Sequence, residues 1–540
     1  MPKLPREQLM TENRALRLSP LLVLAVAGLA FALYVATMAP GLTWANQGAD
    51  GGELIAAART NGVPHPPGYP LYILLLQLWL KVTGVLFRGS EPARLGNLFS
   101  ATLAAACVGV TATVVAAVTE RFGSTQWVSP FWRQGWVLLV AILWMQAPLF
   151  WSQAVIAEVY ALHMLLVSIL GWALLVKRGA PRYLVPVVAL GVAHHLTLVL
   201  LLPAVLYLLW VEQWGDGQTW GQRMQQLKAP MLWLMIGCVV GALFYIRIPL
   251  AAAAGPPINW GYADNWEGFW WLVGAQAYRG YLFNVPADSV FERIASWAYT
   301  LTSQYTFVGL GLGLVGLAHW DQAAPRLRNF GLLWTLPLSV YAVSYYTRDS
   351  NIYLLPVIWM LVIWIAVGGP IFLDWLRARW AQFKPEAAPQ VSAKISIWGI
   401  LVMLAGVVIL TAVRLPTMSL RQDNQARAFL NGVITAVEPG SLLISSADQE
   451  TFAIWYGAWG SGELLRLEPP PIFVNYALLQ FPWYQRQLAG QYPNIPGLDQ
   501  SLEQVITANA GIRPIYFSEQ LSVVPAERLE PVGPIWRYKP

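Results

Sequence analysis

Ala49-Asp50-Gly51-Gly52-Glu53-Leu54-Ile55-Ala56-Ala57-Ala58, followed by Val63-Pro64-His65-Pro66-Pro67-Gly68-Tyr69-Pro70, is the stretch on which the reading of this chain turns. It sets two carboxylates and a histidine directly after the first hydrophobic run, Pro20 to Met38. Ionisable groups beside a bilayer are costly and mark functional sites by default. Asp50 and Glu53 begin an expected helix, Leu54 to Arg59, where positions three apart share a face. Two readings stay open. One is a capping box, with Asp50 capping the helix and Glu53 reaching back. The other is a pair of acids presented for chemistry. His65-Pro66-Pro67-Gly68 reads as a rigid turn back to the membrane, because proline fixes its own φ and restricts the residue before it.

Outside this stretch the chain is very apolar. Of its 540 residues, 56% are hydrophobic and 11% charged, where a soluble chain carries about 25%. The net charge of +6 fits basic cytoplasmic loops. No basic-aromatic run points to nucleic acid. Cys107 and Cys238 both lie in apolar runs and give neither a disulfide framework nor a metal cluster. Several of the 28 tryptophans, among them Trp132, Trp136, Trp151, Trp210, Trp270 and Trp271, fall near the ends of apolar runs and read as interfacial belts.

Lys3, Arg6, Arg14 and Arg17 precede the first run, and no small-residue cleavage site follows it. The run therefore reads as a first transmembrane helix, not a signal peptide, with residues 1–19 cytoplasmic. Further runs are Pro70 to Phe87, Leu95 to Val118, Trp136 to Phe150, Ala154 to Val176, Tyr183 to Trp210 and Pro230 to Leu250. Trp297 to Leu317, Asn329 to Tyr345, Ile352 to Leu373 and Ile395 to Val413 complete the set. Tyr183 to Trp210 is too long for one simple helix and reads as two short ones meeting at His194-His195. With Lys177, Arg178, Arg326, Arg328, Arg377, Arg379 and Lys384 inside, parity holds if that run crosses twice and Pro70 to Phe87 re-enters. The expectation is a polytopic α-helical membrane protein of about 11 to 12 membrane helices. Its body spans residues 20–413, with 39–69 as the first outer loop. Residues 414–540 carry short β-like runs at Ser441-Leu442-Leu443-Ile444 and Pro471-Ile472-Phe473-Val474, punctuated by Pro and Gly. They read as a small extracytoplasmic α/β domain.

Other polar residues stand out against this background. Glu158 is a lone acid near a span end, either interfacial or functional. Adjacent histidines on a helix point to different faces, so His194 and His195 suit one packed and one functional group, and a metal site would want three or more ligands. Arg247 either snorkels to the interface or clamps a phosphate. Pro256-Pro257-Ile258-Asn259-Trp260-Gly261 reads as an ordered loop, and Arg348-Asp349 as an exposed ion pair in a short outward loop. No Gly-rich nucleotide loop with its lysine, HExxH or GxSxG occurs, which speaks against ATPase, zinc-protease and lipase chemistry.

Gly48-Ala49-Asp50-Gly51-Gly52-Glu53-Leu54 through His65-Pro66-Pro67-Gly68-Tyr69-Pro70-Leu71 resembles the signature of the transmembrane-protein-260-like protein O-mannosyltransferases, of the GT-C superfamily of membrane glycosyltransferases. The likeness continues through Glu158-Val159-Tyr160-Ala161-Leu162, His195-Leu196-Thr197, Arg247 to Gly261 and Asp349-Ser350-Asn351-Ile352-Tyr353. It reaches Ala447-Asp448-Gln449-Glu450-Thr451-Phe452 and Trp455-Tyr456. One departure is the short tail, which lacks the helical repeats of animal members. The resemblance implies a GT-C fold and transfer of a sugar, mannose, from a polyprenyl-phosphate donor to an acceptor hydroxyl with inversion, outside the membrane. The acceptor would be protein Ser/Thr or a glycan. Asp50 would be the base, with Glu53 as alternate or orienter. Arg247, helped by His195 or Arg94, would meet the departing phosphate, a task that a divalent metal ion can also perform. His65, Glu158, Asn259, Trp260 and Asp349 would contact substrate. The lipid bilayer would house the donor's tail. Two rival classes are a transporter or flippase of a lipid-linked sugar and a scaffold protein. Transporters often show internal repeats and mid-membrane sites, and here no repeat is visible and the acids cluster outside the spans. A scaffold would tolerate Asp50→Asn.

Overall fold

A computed structural model describes residues 18–123, 130–212, 219–323, 327–383 and 388–540. The basic N-terminal residues Lys3, Arg6, Arg14 and Arg17, together with Arg326 and Lys384, lie outside the described residues. Six described helices are long and apolar enough to cross a membrane: Pro20–Thr37, Pro92–Phe122, Trp220–Ala253, Ala287–Trp320, Ser350–Phe383 and Ile397–Met418. A seventh crossing is available if Phe131–Met145 and Pro148–Ala154, bent by 67°, count as one span. Four further apolar helices, Pro70–Leu86, Tyr160–Leu175, Pro181–Val192 and Leu196–Val211, are 10–17 residues long. The count by length is therefore below the expected 11 to 12, because several apolar runs are broken into pieces shorter than the roughly 20 residues a straight crossing needs.

The helices differ in what covers them. Ser350–Phe383 has 94% of its most apolar window buried and forms the centre of the bundle. Pro20–Thr37 and Ile397–Met418 have only 22% and 17% buried. They leave Leu24, Val402, Val408 and Ile409 exposed along with much of their length. Apolar surface on this scale is stable only against lipid, so the chain is a multi-pass membrane protein. Trp136 and Trp151, expected at an interface, are instead fully buried. Their indole N–H groups donate to Ala366 O at 2.9 Å and Thr37 Oγ1 at 3.0 Å, which satisfies them inside the bundle. The Tyr183–Trp210 run breaks where expected. Pro181–Val192 stops, and the His194 and His195 N–H groups both bond to Gly191 O.

After Ile397–Met418 the chain enters a mixed sheet of order β2-β1-β3-β5-β4. Its strands are β1 Leu442–Ser445, β2 Ile472–Asn475, β3 Ile515–Phe517, β4 Leu529–Val532 and β5 Ile535–Tyr538. β1 pairs in parallel with β2 (Leu442 opposite Ile472) and with β3 (Leu442 opposite Ile515), while β5 runs antiparallel to β3 and β4. Residues of β1 and β2 are buried throughout, the pattern of parallel strands covered on both faces. The helices Gln425–Ala436, Asp448–Trp455, Pro482–Gln491 and Leu502–Asn509 accompany the sheet.

This unit has no separate core. One continuous apolar cluster joins Leu54, Ile55, Tyr72 and Ile73 to Leu443, Phe452, Phe473 and Phe517. The helix Asp50–Thr60 is the shared element, with residues 51–58 all buried. Two glycines permit its contacts. A Cβ on Gly51 would meet Ala157 O at 2.7 Å, and one on Gly52 would meet Phe452 O at 2.5 Å. Trp44 Nε1 donates to Gln449 O at 3.0 Å and Gln487 Nε2 to Pro257 O at 2.8 Å across the same seam. Gly52→Ala should push the seam apart and cost about 1–3 kcal/mol, the usual range for overpacking. The check is thermal unfolding in detergent against Gly84→Ala, where nothing lies within 4 Å of the added Cβ.

Candidate active site

The acidic helix starts with Asp50 as its first helical residue, after Ala49, and no side chain caps it. The capping-box reading therefore fails. Glu53 turns to His65 instead. Glu53 Oε1 accepts the His65 backbone N–H at 3.1 Å, and Glu53 Oε2 pairs with the ring at Nδ1. His65 Nε2 lies 3.6 Å from Asp50 Oδ2. The Glu53 side chain is 0% exposed, His65 8% and Asp50 39%, so Asp50 alone of the three opens to solvent space.

Local chain geometry brings His65 back to the helix. Asn61 takes a left-handed conformation (φ 54) and returns its N–H to Ala57 O. Val63 then forms a parallel bridge with Asn259, with Val63 N–H to Ile258 O at 2.8 Å and Trp260 N–H to Val63 O at 3.1 Å. Gly68, at φ +88, completes the turn into Pro70–Leu86. Pro66-Pro67 is cis.

Asp50 faces a cavity of about 760 Å³. Its wall includes His65, Tyr69, Tyr160, His195 and Thr197 from the first half of the chain, and Tyr278, Arg279, Tyr281, Tyr345, Arg348, Asp349 and Tyr353 from the second. Asp448, Gln449 and Phe452 come from the C-terminal unit. Burial raises Asp50 to about 6, against the pull of the His65 imidazole and with further upward push from Glu53 and Asp349. Burial also raises Asp448, helped by the nearby Asp50. His195 uses Nδ1 to accept from Thr197 Oγ1 at 2.8 Å and presents its ring to the cavity, whereas His194 is fully buried with Nε2 on Val159 O at 3.1 Å. The two neighbours thus differ, His194 packed in the interior and His195 on the cavity wall.

Other expected residues lie elsewhere. Arg247 does not line the cavity. Its Nη2 donates to Asn61 Oδ1 at 3.0 Å and Gly62 O at 3.1 Å, which clamps the turn after the acidic helix. Arg94 is exposed on Pro92–Phe122, away from the cavity wall. Glu158 is buried beside it, with one oxygen on Val159 N at 3.2 Å. Asn259 ties down its own loop by donating to Ala252 O at 3.1 Å, and the Trp260 ring stands edge-on to His65 at 6.2 Å. The cavity's cations are Arg279 and Arg348. Arg279 went unnoticed in the sequence, although an arginine between Tyr278 and Tyr281 is unusual in a chain with 11% charged residues. Among the described residues, no group of three or more His, Cys, Asp or Glu side chains is disposed to hold a metal ion.

Arg348 and Asp349 are held by Arg293, from the helix Val290–Ala323. Its guanidinium donates to Ala342 O at 2.8 Å, Val343 O at 3.3 Å, Tyr345 O at 2.6 Å and Thr347 O at 2.9 Å, and pairs with Ser350 Oγ. Leu282 bridges antiparallel to Tyr345 and ties the Arg279 loop to the same strip.

The fold is shared with a solved membrane protein. Over 96% of both chains it superposes, with a TM-score of 0.56 and 14% identity, on ArnT from Cupriavidus metallidurans bound to undecaprenyl phosphate. Residues 50–218, which carry Asp50, Glu53, His65 and His195, match the family model described as the protein O-mannosyl-transferase TMEM260 N-terminal domain. The chain is 26% identical over 309 residues to the protein O-mannosyl-transferase tmem260 of Dictyostelium discoideum, covering 53% of this chain and 34% of that protein. It is 22% identical over 478 residues to TMEM260 of Mus musculus, covering 83% of this chain and 62% of that protein. The chain thus spans less than two thirds of the length of each of these relatives.

Arg293→Met should remove the donors that order 342–350, at a cost of about 1–3 kcal/mol. Hydrogen exchange is expected to rise at 344–350 and to stay unchanged in Leu442–Ser445; protection retained in 344–350 would refute the role.

Proposed function

We propose that the chain is a membrane glycosyltransferase that moves mannose from a polyprenyl-phosphate donor to the hydroxyl of a protein Ser/Thr or glycan, with inversion. The observation that carries this reading is Asp50, an accessible carboxylate at the edge of a buried acid–histidine cluster, sharing one cavity with two arginines. The acceptor oxygen attacks the sugar's anomeric carbon as the bond to the phosphate oxygen breaks. Asp50 takes the acceptor proton, and the phosphate leaves with the bonding electrons. Phosphate is a good leaving group, so the site needs a base more than an acid. Arg279 and Arg348 take the phosphate-stabilising role expected of Arg247 and Arg94. Tyr69, Tyr281 and Tyr353 offer ring faces and hydroxyls to the sugar. Leu196 and Leu282 line the cavity and are exposed, which suits an apolar stretch of wall for the lipid tail. Asp448, on the cavity wall with Asp50, suits an acceptor side formed with the C-terminal unit. In this reading the cavity and residues 414–540 lie outside the membrane and residues 1–19 inside.

The test is transfer of labelled mannose from synthetic polyprenyl-phosphate-mannose to a Ser/Thr peptide pool. Asp50→Asn should lower the rate by about 10²–10⁴-fold, the usual weight of a positioned base. The wild-type rate should fall about tenfold per pH unit below about 6, because a base acts only when ionised and Asp50 is protonated there. Full transfer by Asp50→Asn would sink the assignment. Arg279→Gln and Arg348→Gln should each raise the donor KM by about 10–100-fold, the worth of one charged hydrogen bond, with the acceptor KM little changed. An acceptor-only effect would move the phosphate site elsewhere.

A further inference from the structure

The two ring nitrogens of His65 each face a carboxylate: Nδ1 meets Glu53 Oε2, and Nε2 is 3.6 Å from Asp50 Oδ2. A neutral imidazole has one N–H and one lone pair. With its proton on Nδ1, the bare Nε2 would face the Asp50 carboxylate, oxygen lone pair against nitrogen lone pair. With both nitrogens protonated, the Nδ1–H donates to Glu53 and the Nε2–H faces the Asp50 carboxylate at ion-pair distance. Glu53 cannot swing away to relieve the pairing, because its other oxygen is held by the His65 backbone N–H at 3.1 Å and its side chain is 0% exposed. Three rings surround the imidazole, Tyr69 at 5.3 Å, Trp260 at 6.2 Å and Phe452 at 6.4 Å between centroids.

We infer that His65 is a resident imidazolium, clamped by Glu53, that acts as a positioning residue by keeping Asp50 ionised and aimed into the cavity. The inference rests on Asp50 being the base of the proposed reaction. It differs from the substrate contact expected of His65: the ring spends both nitrogens on the chain's own acids. Other titratable or charged groups around the pair are Asp349, Asp448, Glu158, Tyr69, Tyr278, His195, Arg279 and Arg348. Three of these are carboxylic acids, so the ring, with Arg279 and Arg348 on the same cavity wall, supplies counter-charge to an acidic pocket. Burial would lower the His65 imidazole, but Glu53 and Asp50 overcome it and raise the ring to about 10. The same charge opposes the burial that pushes Asp50 upward. Without it, Asp50 would be protonated at neutral pH and lost as a base.

Two measurements test this on the full chain in nanodiscs. The first is an NMR titration of ring-labelled histidine. The chain has five histidines, and an unperturbed one titrates near 6.5. A single imidazolium signal is expected at pH 8.5, absent from His65→Gln and converted to neutral imidazole in Glu53→Gln. Five neutral rings in the wild type at that pH would overturn the inference. This arm needs no transfer, so it stands apart from the glycosyltransferase reading. The second is the pH–rate profile. His65→Gln should move the acid limb from about 6 upward by about one unit or more, and raising the pH to 9 should recover most of the rate. Glu53→Gln should do the same and serves if His65→Gln does not fold. A loss equal at every pH would make the pair merely structural and refute the effect on Asp50. An imidazolium in a wild type that transfers no sugar would overturn the proposed reaction and leave the charged ring standing.

Discussion

A carboxylate with no exposure is affordable only with a partner, and the pairing of Glu53 with His65 is the constraint from which the site follows. An unpaired buried charge would cost several kcal/mol or be neutralised. Here the partner is supplied from twelve residues downstream, and the chain between is shaped to deliver it. Asn61 ends the helix in a left-handed conformation, Val63 bridges to Asn259, and Gly68 turns the chain back into the next helix. Arg247 holds the first of these turns from outside by bonding Asn61 and Gly62. Asp50, one turn before Glu53, is left facing the cavity as the exposed member of the cluster.

The second constraint is the seam between the membrane helices and the C-terminal sheet. Gly51 and Gly52 allow backbone to meet backbone on two sides of a single helix. Glycines inside a helix are unfavourable by roughly 1 kcal/mol each, which the shared apolar core offsets. The consequence is functional as well as structural. Asp448 and Phe452 join the same cavity wall as Asp50 and Asp349, so the C-terminal unit closes part of the cavity.

Much of this was legible in the sequence where the signal is local. Long apolar runs make helices because lipid offers no partner for an unpaired backbone group, and the break at His194-His195 shows in a run too long for one helix. Asp50, Glu53 and His65 stand out because charged groups are scarce in this chain and these lie close together in sequence. The same reasoning misplaced Arg247, since snorkelling, phosphate binding and turn clamping all suit an arginine at a helix end. It placed Trp136 and Trp151 at an interface, although their N–H groups find partners inside the bundle.

The sequence by itself determined the solvent of this protein, its helical membrane body and the residues with chemical potential in the loop after the first span. Those properties depend on composition and on neighbours within about twenty residues. Tertiary structure decided which of these residues meet. It separated Asp50 from the capping role that its spacing allowed, and turned Glu53 toward His65. It brought Arg279, Arg348 and Asp448 to the same cavity from loops more than two hundred residues away. The physical reason is that a site is a set of distances. Burial and charge pairing become known only when distant segments share one enclosed volume.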